Sequence, residues 1–222
     1  MRMNGKTIVT GAAGALGGTV CEVLRERGAD VVGIDLAEGG PAGISFIGGV
    51  DLADQAAVSD AFASAAAGSG IAGLANIAGG FAWETVMDGS VVSWERMFRM
   101  NVLTTLNACR AAVPLLTEQG AIVNVGAAAT ARAGAGMGAY TASKSGVARL
   151  TEALAEELKE RRLRVNAVLP SIIDTAANRE AMGADDAASW VTTGEVAQVV
   201  AFLLSDAASG VTGASVPVTG RV

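Results

Sequence analysis

Tyr140 and Lys144 are the two side chains of this sequence best suited to move a proton. Tyr140 is the only tyrosine among 222 residues, and Lys144 follows it by four positions within 137–161, a stretch whose pattern predicts a helix. Residues four apart share one face of a helix. A phenol with a pKa of about 10 is a weak acid at neutral pH, and a neighbouring positive charge favours its phenolate. The pair predicts proton transfer coupled to hydride transfer; the alternative is a half-buried tyrosine beside a solvated lysine.

A glycine-rich turn near the start of the chain predicts a dinucleotide site. The strand-like run 7–10 leads into Gly11, Gly14 and Gly17, and a helical pattern continues through Arg27. Glycines here let backbone amides approach a pyrophosphate, and the helix N-terminus adds partial positive charge. The spacing alone is a weak indication because the chain holds 29 glycines. Its position between the first strand and the first helix strengthens the prediction.

Asp35 supports this interpretation and bears on the choice of cofactor. It ends the second predicted strand, about 20 residues beyond the turn, where an acid accepts hydrogen bonds from the adenosine ribose hydroxyls. A carboxylate at this point repels a 2′-phosphate. No Lys or Arg occurs between Arg27 and Arg96 to attract one. The sequence therefore predicts NAD, as NADH, in preference to NADP.

Composition excludes several classes of protein. Hydrophobic residues make up 51% of the chain and charged residues 17%, which predicts a large core. The net charge of −6 and the lack of a basic stripe argue against a nucleic acid partner. The chain has no histidine, which removes His-based zinc sites, Ser-His-Asp triads and Cys-His pairs, and no metal site is predicted. Cys21 and Cys109 lie far apart in helical patterns and are interpreted as buried structural thiols.

Neither a signal peptide nor a membrane span is expected. The segment 1–6 is too short for a signal peptide before the first strand. The uncharged stretch 61–83 has the length of a membrane span, yet it contains five glycines. It is interpreted as a helix end, a turn and a buried strand. We expect a cytoplasmic protein with a small-molecule substrate and no membrane association.

Short β-branched runs alternate with alanine-rich helical stretches along the chain. Continuously apolar strands separated by helices imply a parallel sheet covered on both faces. We predict one α/β domain, 1–222, a doubly wound (Rossmann) parallel sheet of about seven strands with helices on both faces. The predicted strands are 7–10, 31–35, 44–47, 71–77, 122–125, 165–169 and 215–218, and the longer helices include 90–116, 137–161 and 195–204.

These motifs occur in an order that resembles the short-chain dehydrogenases/reductases over essentially the whole chain. The segment 140–144, Tyr-Thr-Ala-Ser-Lys, matches the catalytic motif of that family, and Asn101 fits its helix asparagine. The resemblance implies that Tyr140 donates a proton. It also implies that Lys144 binds the nicotinamide ribose and lowers the tyrosine pKa, and that Asn101 supports a water relay through Lys144.

The same resemblance implies a set of cofactor contacts. Asp51 matches the family's adenine-contacting acid, and the segment 76–79, Asn-Ile-Ala-Gly, resembles its strand-end motif. Pro170 with Thr175 resembles the segment that contacts the nicotinamide carboxamide. Asp51 and Asn76 also have a structural interpretation, as caps of a turn or a strand end. The predicted cofactor-binding residues are Gly11, Gly14, Leu16, Gly17, Asp35, Asp51, Leu52, Asn76, Ala78, Gly79, Tyr140, Lys144, Pro170, Ile173 and Thr175.

Ala127 departs from the family pattern. It stands thirteen residues before the tyrosine, where the family has its catalytic serine, so no hydroxyl is available there to orient a carbonyl oxygen. Thr130 lies three residues further on and is not taken as a substitute. A serine-less site resembles one branch of the family, quinonoid dihydropteridine reductase, in which NADH reduces a quinonoid pterin and such a serine is dispensable. That resemblance rests on Gly14-Ala15-Leu16-Gly17, 78–82, Gly136-Met137, Leu169-Pro170, Asp174-Thr175, Asn178-Arg179, Met182 and Ser189-Trp190.

Large apolar side chains are candidates for a substrate pocket. Trp83, Met182 and Trp190 follow strand ends, on the side where doubly wound sheets bind ligands, and with Ala127 they form the predicted pocket for a flat heterocycle. Aromatic residues are more often packing residues, which is the alternative for each.

Small residues in 139–155 and the long helix 90–116 permit close helix approach, and in the resembled family these helices form a dimer interface. We therefore expect a homodimer or a homotetramer. Three functions remain open. The first is an NADH-dependent reductase of the dihydropteridine-reductase type, and the second is a serine-independent oxidoreductase of carbonyls or alcohols. The third is a dinucleotide-binding sensor without catalysis.

Overall fold

The computed structural model of the protein describes residues 5–222. Its strands are β1 Lys6–Thr10, β2 Asp30–Ile34, β3 Ser45–Ile47, β4 Ile71–Asn76, β5 Leu116–Val125, β6 Arg164–Pro170, β7 Ile173–Asp174, β8 Val191–Thr192 and β9 Ser215–Val218. Its α-helices are α1 Ala15–Glu26, α2 Gln55–Ala66, α3 Val91–Phe98, α4 Thr104–Ala112, α5 Gly138–Glu157, α6 Ala176–Met182 and α7 Thr193–Leu204.

Seven of these strands form one parallel sheet in the order β3-β2-β1-β4-β5-β6-β9. The chain starts in the middle at β1, which pairs with β2 on one side and β4 on the other. This is the predicted doubly wound α/β fold. Its switch point between β1 and β4 opens a crevice at the carboxyl ends of the strands, where such folds bind ligands. The two short strands β7 and β8, which the sequence did not predict, pair separately.

Helices cover both faces of the sheet because successive side chains of each strand point to opposite faces. In β1, Val9 packs in the core beneath α1 and α7, and Ile8 packs in the core beneath α2, α4 and α5. Cys21 and Cys109 are free thiols, one in each core, so the interpretation as buried cysteines is confirmed.

The uncharged stretch 61–83 contains the elements that the sequence predicts. Helix α2 ends at Ala66, and β4 begins at Ile71. Within residues 5–222, no helix has the length and hydropathy needed to cross a bilayer.

The predicted helix 90–116 is interrupted at two points. A π-helical turn, Arg99–Leu103, separates α3 from α4. The hydroxyls of Thr104 and Thr105 donate to the Met100 and Asn101 carbonyls, at 2.7 and 2.8 Å, and so compete with the regular backbone bonds of an α-helix. At the other end Pro114, which has no backbone N–H, lies in a 3-10 turn. The chain then enters β5, which is longer than the predicted strand 122–125.

Candidate active site

A central cleft with a volume of about 730 Å³ opens at the carboxyl ends of the middle strands. It runs from Asp35 after β2 to Tyr140 and Lys144 on α5. The predicted cofactor-binding residues that line it are Gly11, Gly14, Leu16, Gly17, Asp35, Ala78, Gly79, Tyr140, Lys144, Pro170, Ile173 and Thr175. Among the predicted catalytic and cofactor-binding residues, Asp51, Leu52, Asn76 and Asn101 lie outside this lining.

The glycine turn forms one wall of the cleft, and two of its glycines have no room for a side chain. Gly11 has a φ of +69°, and a Cβ there would lie 2.6 Å from the Ala78 amide nitrogen. A Cβ on Gly17 would lie 2.0 Å from the Gly11 carbonyl oxygen, so only glycine lets α1 begin this close to the turn. The N-cap of α1, Gly14, supplies no side-chain cap. The first amides of the helix therefore stay available for an anion.

Asp35 lies at the end of the cleft beside this turn, and the backbone fixes its carboxylate. One oxygen accepts a hydrogen bond from the Ala13 amide at 2.9 Å, and the other accepts one from the Ala37 amide at 3.1 Å. Each oxygen keeps a lone pair for a further donor. Among the described residues that line the cleft, Lys144 is the one cation, and it lies at the far end.

Asp51 pairs with a cation in this structure. Arg99, in the π-helical turn, donates to its carboxylate at 2.9 Å, and both side chains are about half exposed. The backbone amide of Ala53 also donates to Asp51. These bonds, first the Ala53 amide and then Arg99, hold the pKa of Asp51 below its usual value. Leu52 is buried beside it, and its carbonyl accepts a hydrogen bond from Asn107.

Asn76 belongs to a buried polar network under the cleft. Its amide group donates to Asn124 at 2.9 Å and to the Cys109 sulfur at 3.3 Å, and its oxygen accepts from Thr10. Asn124 continues the network to Thr151 on α5 at 2.9 Å. Asn76 therefore has a structural role, because these bonds join β1, β4, β5 and two helices.

Tyr140 and Lys144 share one face of α5 and both line the cleft, as their spacing predicts. The ammonium of Lys144 is buried and donates to the Val125 carbonyl at 2.9 Å. Burial lowers its pKa to about 8. Within the described part of the chain the phenol oxygen of Tyr140 bonds to no protein group, and it stays free for a ligand.

Burial determines the protonation state of Tyr140. It raises the pKa of the phenol to about 12. The Lys144 ammonium, which the family resemblance expects to lower this pKa, donates to the Val125 carbonyl. The phenol is consequently protonated at neutral pH, which is the form that can give up a proton.

Asn101 supports the site from behind the cleft. The π-helical turn places its buried amide against the loop after β4, where it accepts from the Gly80 amide at 3.0 Å and donates to the Gly80 carbonyl at 3.1 Å. It also donates to Ser143 at 3.0 Å, one residue before Lys144. A Cβ on Gly79 would lie within 3.1 Å of both the Asn101 oxygen and the Lys144 nitrogen, so these groups flank the same glycine.

Ala127 is 3% exposed and contributes only a methyl group near the end of β5. Thr130, the nearest hydroxyl along the chain, donates to the Ala127 carbonyl at 2.8 Å and does not line the cleft. The hydroxyl of Thr130 therefore does not replace the family's serine hydroxyl in the cleft.

Trp83, Met182 and Trp190, the predicted apolar pocket residues, are not among the residues that line the central cleft. Trp83 is 63% exposed and packs on Gly136, with its indole N–H donating to the Ala135 carbonyl at 3.1 Å. Met182 is 52% exposed at the end of α6, and Trp190 is 5% exposed beside β8. The cleft has an aromatic wall of a different origin.

Phe81 forms that wall, and it belongs to the segment 78–82 that carries the family resemblance. Its ring meets the ring of Tyr140 edge to face, with the centroids 4.9 Å apart. Ser143 was missed as the partner of Asn101, although it lies within the 140–144 motif. Ser171 and Asn178, in the segment after β6, also line the cleft. Their position between Pro170 and Met182 was the signal that could have identified them.

Comparison with known proteins identifies the family. The sequence model described as Enoyl-(Acyl carrier protein) reductase matches residues 11–220. The chain is 32% identical to 2-(S)-hydroxypropyl-CoM dehydrogenase 3 of Xanthobacter autotrophicus, over 96% of this chain and 94% of that protein. It is 30% identical to 3-oxoacyl-[acyl-carrier-protein] reductase FabG of Salmonella typhimurium, over 99% of this chain and 98% of that protein. The chain belongs to the short-chain dehydrogenase/reductase family.

The fold agrees with this membership. Aldohexose dehydrogenase of Thermoplasma acidophilum superposes with a TM-score of 0.91 at 27% identity, covering 97% of this chain and 92% of that one. The protein is therefore an NAD(P)-dependent short-chain dehydrogenase/reductase, and its cofactor supplies or accepts a hydride.

The central cleft fits such a dinucleotide. A side chain at Gly11 or Gly17 would collide with backbone, so this wall is built to bring main-chain amides against a ligand. Asp35 at one end offers acceptors for ribose hydroxyls, and Lys144 at the other offers a cation. The cleft between them has a volume of about 730 Å³.

Proposed function

We propose that this short-chain dehydrogenase/reductase is an NADH-dependent reductase in which Tyr140 donates the proton to a quinonoid dihydropterin. The observation that carries the proposal is a cleft lined by a free phenol and a buried lysine, combined with a methyl group in place of a hydroxyl at Ala127, which is almost fully buried. A pterin takes its proton on a ring nitrogen system, so the carbonyl-orienting serine is dispensable.

The protonation states of the site support reduction. Because the pKa of Tyr140 is about 12, its phenol carries a proton at neutral pH. Lys144, with a pKa of about 8, still holds most of its positive charge at that pH and favours the phenolate left after donation. Asn101 fixes the backbone at Gly80 and holds Ser143 beside Lys144. Phe81 supplies an aromatic edge against which a flat ring can pack.

NADH preference over NADPH is supported by charge. Asp35 presents a fixed carboxylate where the adenosine ribose is expected. The guanidinium of Arg99 is paired with Asp51. A 2′-phosphate at this place would meet a negative charge. The predicted cofactor-binding set, with Asp51 and Leu52 near the adenine and Ile173 and Thr175 near the carboxamide, belongs to this proposal.

The test is NADH oxidation at 340 nm with a quinonoid dihydropterin, comparing the native protein with Tyr140→Phe, which removes only the hydroxyl. Loss of general acid catalysis lowers turnover by about 100-fold or more. The Kd for NADH should stay within about twofold, since a cleft-lining ring of the same shape remains. Pterin turnover that survives in Tyr140→Phe would overturn the assignment of the acid.

A second candidate is a serine-independent oxidoreductase of carbonyls or alcohols. Its support is the similarity to proteins named as a 2-(S)-hydroxypropyl-CoM dehydrogenase and a 3-oxoacyl-[acyl-carrier-protein] reductase. A panel of ketones and secondary alcohols separates it from the pterin reductase, and Ala127→Ser serves as the probe. Ketone turnover that rises in Ala127→Ser while pterin turnover does not change favours the pterin reductase for the native chain. NADH binding with no turnover on any acceptor would favour the sensor.

We further propose a homodimer or homotetramer, since Val91 and Val92 of α3 are largely exposed on the helix that the sequence places at an interface. Light scattering coupled to gel filtration measures this directly. The assignment of 1–222 to one NAD-binding domain, the cytoplasmic location and the small-molecule substrate belong to the same proposal.

A further inference from the structure

A second pocket lies at the amino end of β6, at the edge of the sheet opposite the central cleft. We call it the amino-edge pocket, and its volume is about 440 Å³. Three cations and one carboxylate line it, although the chain as a whole carries a net charge of −6. The polar side chains of this pocket include Gln119, Lys159, Arg162, Arg164, Asp206 and Thr212.

Arg164 brings a buried positive charge to the amino-edge pocket. The residue is 7% exposed, and its guanidinium donates to the carbonyls of Leu203, Leu204 and Ser205 at 2.6, 3.3 and 3.1 Å. These acceptors are neutral. Burial, partly offset by the charge of Asp206, lowers the pKa of Arg164. An anion in the pocket would compensate this buried charge.

Two strained residues line the same pocket. Gln119 has a φ of +62° and Arg162 a φ of +55°, and they are the two non-glycine residues with positive φ among those that the structure describes. A side chain in this conformation carries a free-energy cost that glycine avoids. Within residues 5–222 neither side chain makes a hydrogen bond or an ion pair that would offset the cost. Strain of this kind is typical of ligand sites.

The free polar groups of the pocket are mainly donors. A guanidinium has five N–H groups, so Arg162 offers all of its own, and Arg164 keeps those that the three carbonyls do not use. Thr212 accepts from the Val165 amide at 3.1 Å, and its hydroxyl proton has no acceptor in the described part of the chain. Lys159, by contrast, is paired with Glu156 at 2.5 Å. Phosphate oxygens accept such donors, and the planar fork of arginine matches their geometry.

An adjoining cavity of about 310 Å³ is less suited to an anion. It shares Gln119 and Arg162 with the amino-edge pocket, but Glu118 and Glu160 also line it. Their carboxylates would repel a negative ligand. The amino-edge pocket is therefore the side of Arg162 that favours one.

We propose that the amino-edge pocket binds the phosphate group of a small molecule, held by Arg162, Arg164 and Thr212. The concave shape and the net negative charge of the chain favour a small ligand over an extended polyanion such as a nucleic acid. The site is separate from the central cleft and does not depend on the proposed function.

The test is a titration followed by ³¹P NMR, with inorganic phosphate and glycerol 3-phosphate as probes, on the native protein and Arg162→Gln. Loss of one charge-assisted contact should raise the Kd of the probe by about tenfold. Binding of both probes would assign the site to a phosphorylated organic compound, and binding of inorganic phosphate alone would assign it to the free ion.

Two controls locate the bound phosphate. Arg149→Gln removes a cation that is paired with Glu152 outside this pocket, and it should leave the Kd within about twofold. Gly17→Ala disturbs the glycine turn of the central cleft, and it should leave the same Kd unchanged. An equal effect of Arg162→Gln and Arg149→Gln would indicate general attraction to positive charge and would overturn the proposal. Loss of binding in Gly17→Ala, or no binding to the native protein, would also overturn it.

Arg162→Gly separates ligand binding from a structural role. Glycine relieves the left-handed strain, so the Tm should stay the same or rise while the Kd of inorganic phosphate rises by about tenfold. A lower Tm with an unchanged Kd would show that Arg162 serves the fold and would overturn the proposal.

Discussion

The two ends of the central cleft differ in what recognises the ligand. At the end formed by β1, α1 and β2, the wall is main chain, with one carboxylate, Asp35, held by backbone amides. At the end formed by α5 and the segments after β4 and β6, the wall is side chains, chiefly Phe81, Tyr140 and Lys144. The first end depends on the absence of Cβ atoms. The second end depends on burial and charge, so the two should fail in different ways.

The largest expected effect is at the main-chain end. Gly17→Ala places a Cβ 2.0 Å from the Gly11 carbonyl, and neither backbone segment can move without opening the turn. A displacement of this size should raise the Kd for NADH by about 100-fold. Gly18→Ala is the matched control, because its Cβ would lie 3.8 Å from the Ala12 carbonyl oxygen and the residue lies outside the cleft lining. Titration of NADH by fluorescence measures both. Equal affinities for NADH in the two variants would show that the close approach is not required.

This end was also the more predictable from sequence. Gly11, Gly14, Gly17 and Asp35 belong to one strand-turn-helix-strand unit, so local spacing determines where they lie. The doubly wound sheet followed from the alternation of apolar strands and helices for a similar reason. Local patterns specify these features because each strand and helix is recognised from its own residues, and consecutive parallel strands require a helical crossover between them.

At the side-chain end, the sequence predicted the lining residues only where they lie on a single helix. Tyr140 and Lys144 lie one helical turn apart, and both reach the cleft. Trp83 and Trp190 do not line it, since their positions depend on how distant loops pack, and local spacing does not specify that packing. The effect of burial on the pKa of Tyr140 cannot be predicted from local spacing either, because burial is a property of the assembled fold.

The next largest effect tests the side-chain end through pH. The ammonium of Lys144 is lost as the pH rises through about 8, whereas Tyr140, with a pKa of about 12, stays protonated. If the ammonium stabilises the phenolate that forms, kcat/KM for reduction should fall by about tenfold per unit above that pH. Steady-state rates from pH 6 to 10 measure it. Lys144→Arg keeps its charge over this range, and its remaining activity should lack the descending limb.

The lowered pKa of Lys144 also affects stability, and here the expected change with rising pH is an increase rather than a decrease. The folded pKa of Lys144, about 8, lies below the value of about 10.4 expected when unfolded. Between these values the unfolded chain binds more protons, so the contribution of Lys144 to the free energy of unfolding rises with pH. Urea titrations of the native protein and Lys144→Met should diverge over this window. A kcat/KM that stays flat to pH 10, with parallel stability curves, would contradict the burial of this charge.

A smaller effect is expected from the charge of Asp35. Asp35→Asn removes the repulsion of a 2′-phosphate and keeps the shape of the side chain, so the Kd for NADPH should fall by about tenfold relative to that for NADH. Glu38 is also acidic and lies after β2 but outside the cleft lining, and Glu38→Gln serves as the control. The ratio of the two dissociation constants is the measurement. A native protein that binds both dinucleotides equally would remove the basis for NADH preference.

The smallest functional effect is expected at Trp190. This residue tests whether the side-chain end of the cleft extends as far as the segment before β8. Its ring is buried beside β8 and does not line the cleft. Trp190→Phe should therefore lower the free energy of unfolding by about 1–2 kcal/mol and leave the acceptor KM within about twofold. Trp83→Phe, at an exposed position, should change the free energy of unfolding by less. A tenfold rise in acceptor KM without a loss of stability in Trp190→Phe would place this ring in the substrate site. A residue that only packs in the core should change the free energy of unfolding when it is substituted, and should leave the acceptor KM nearly unchanged.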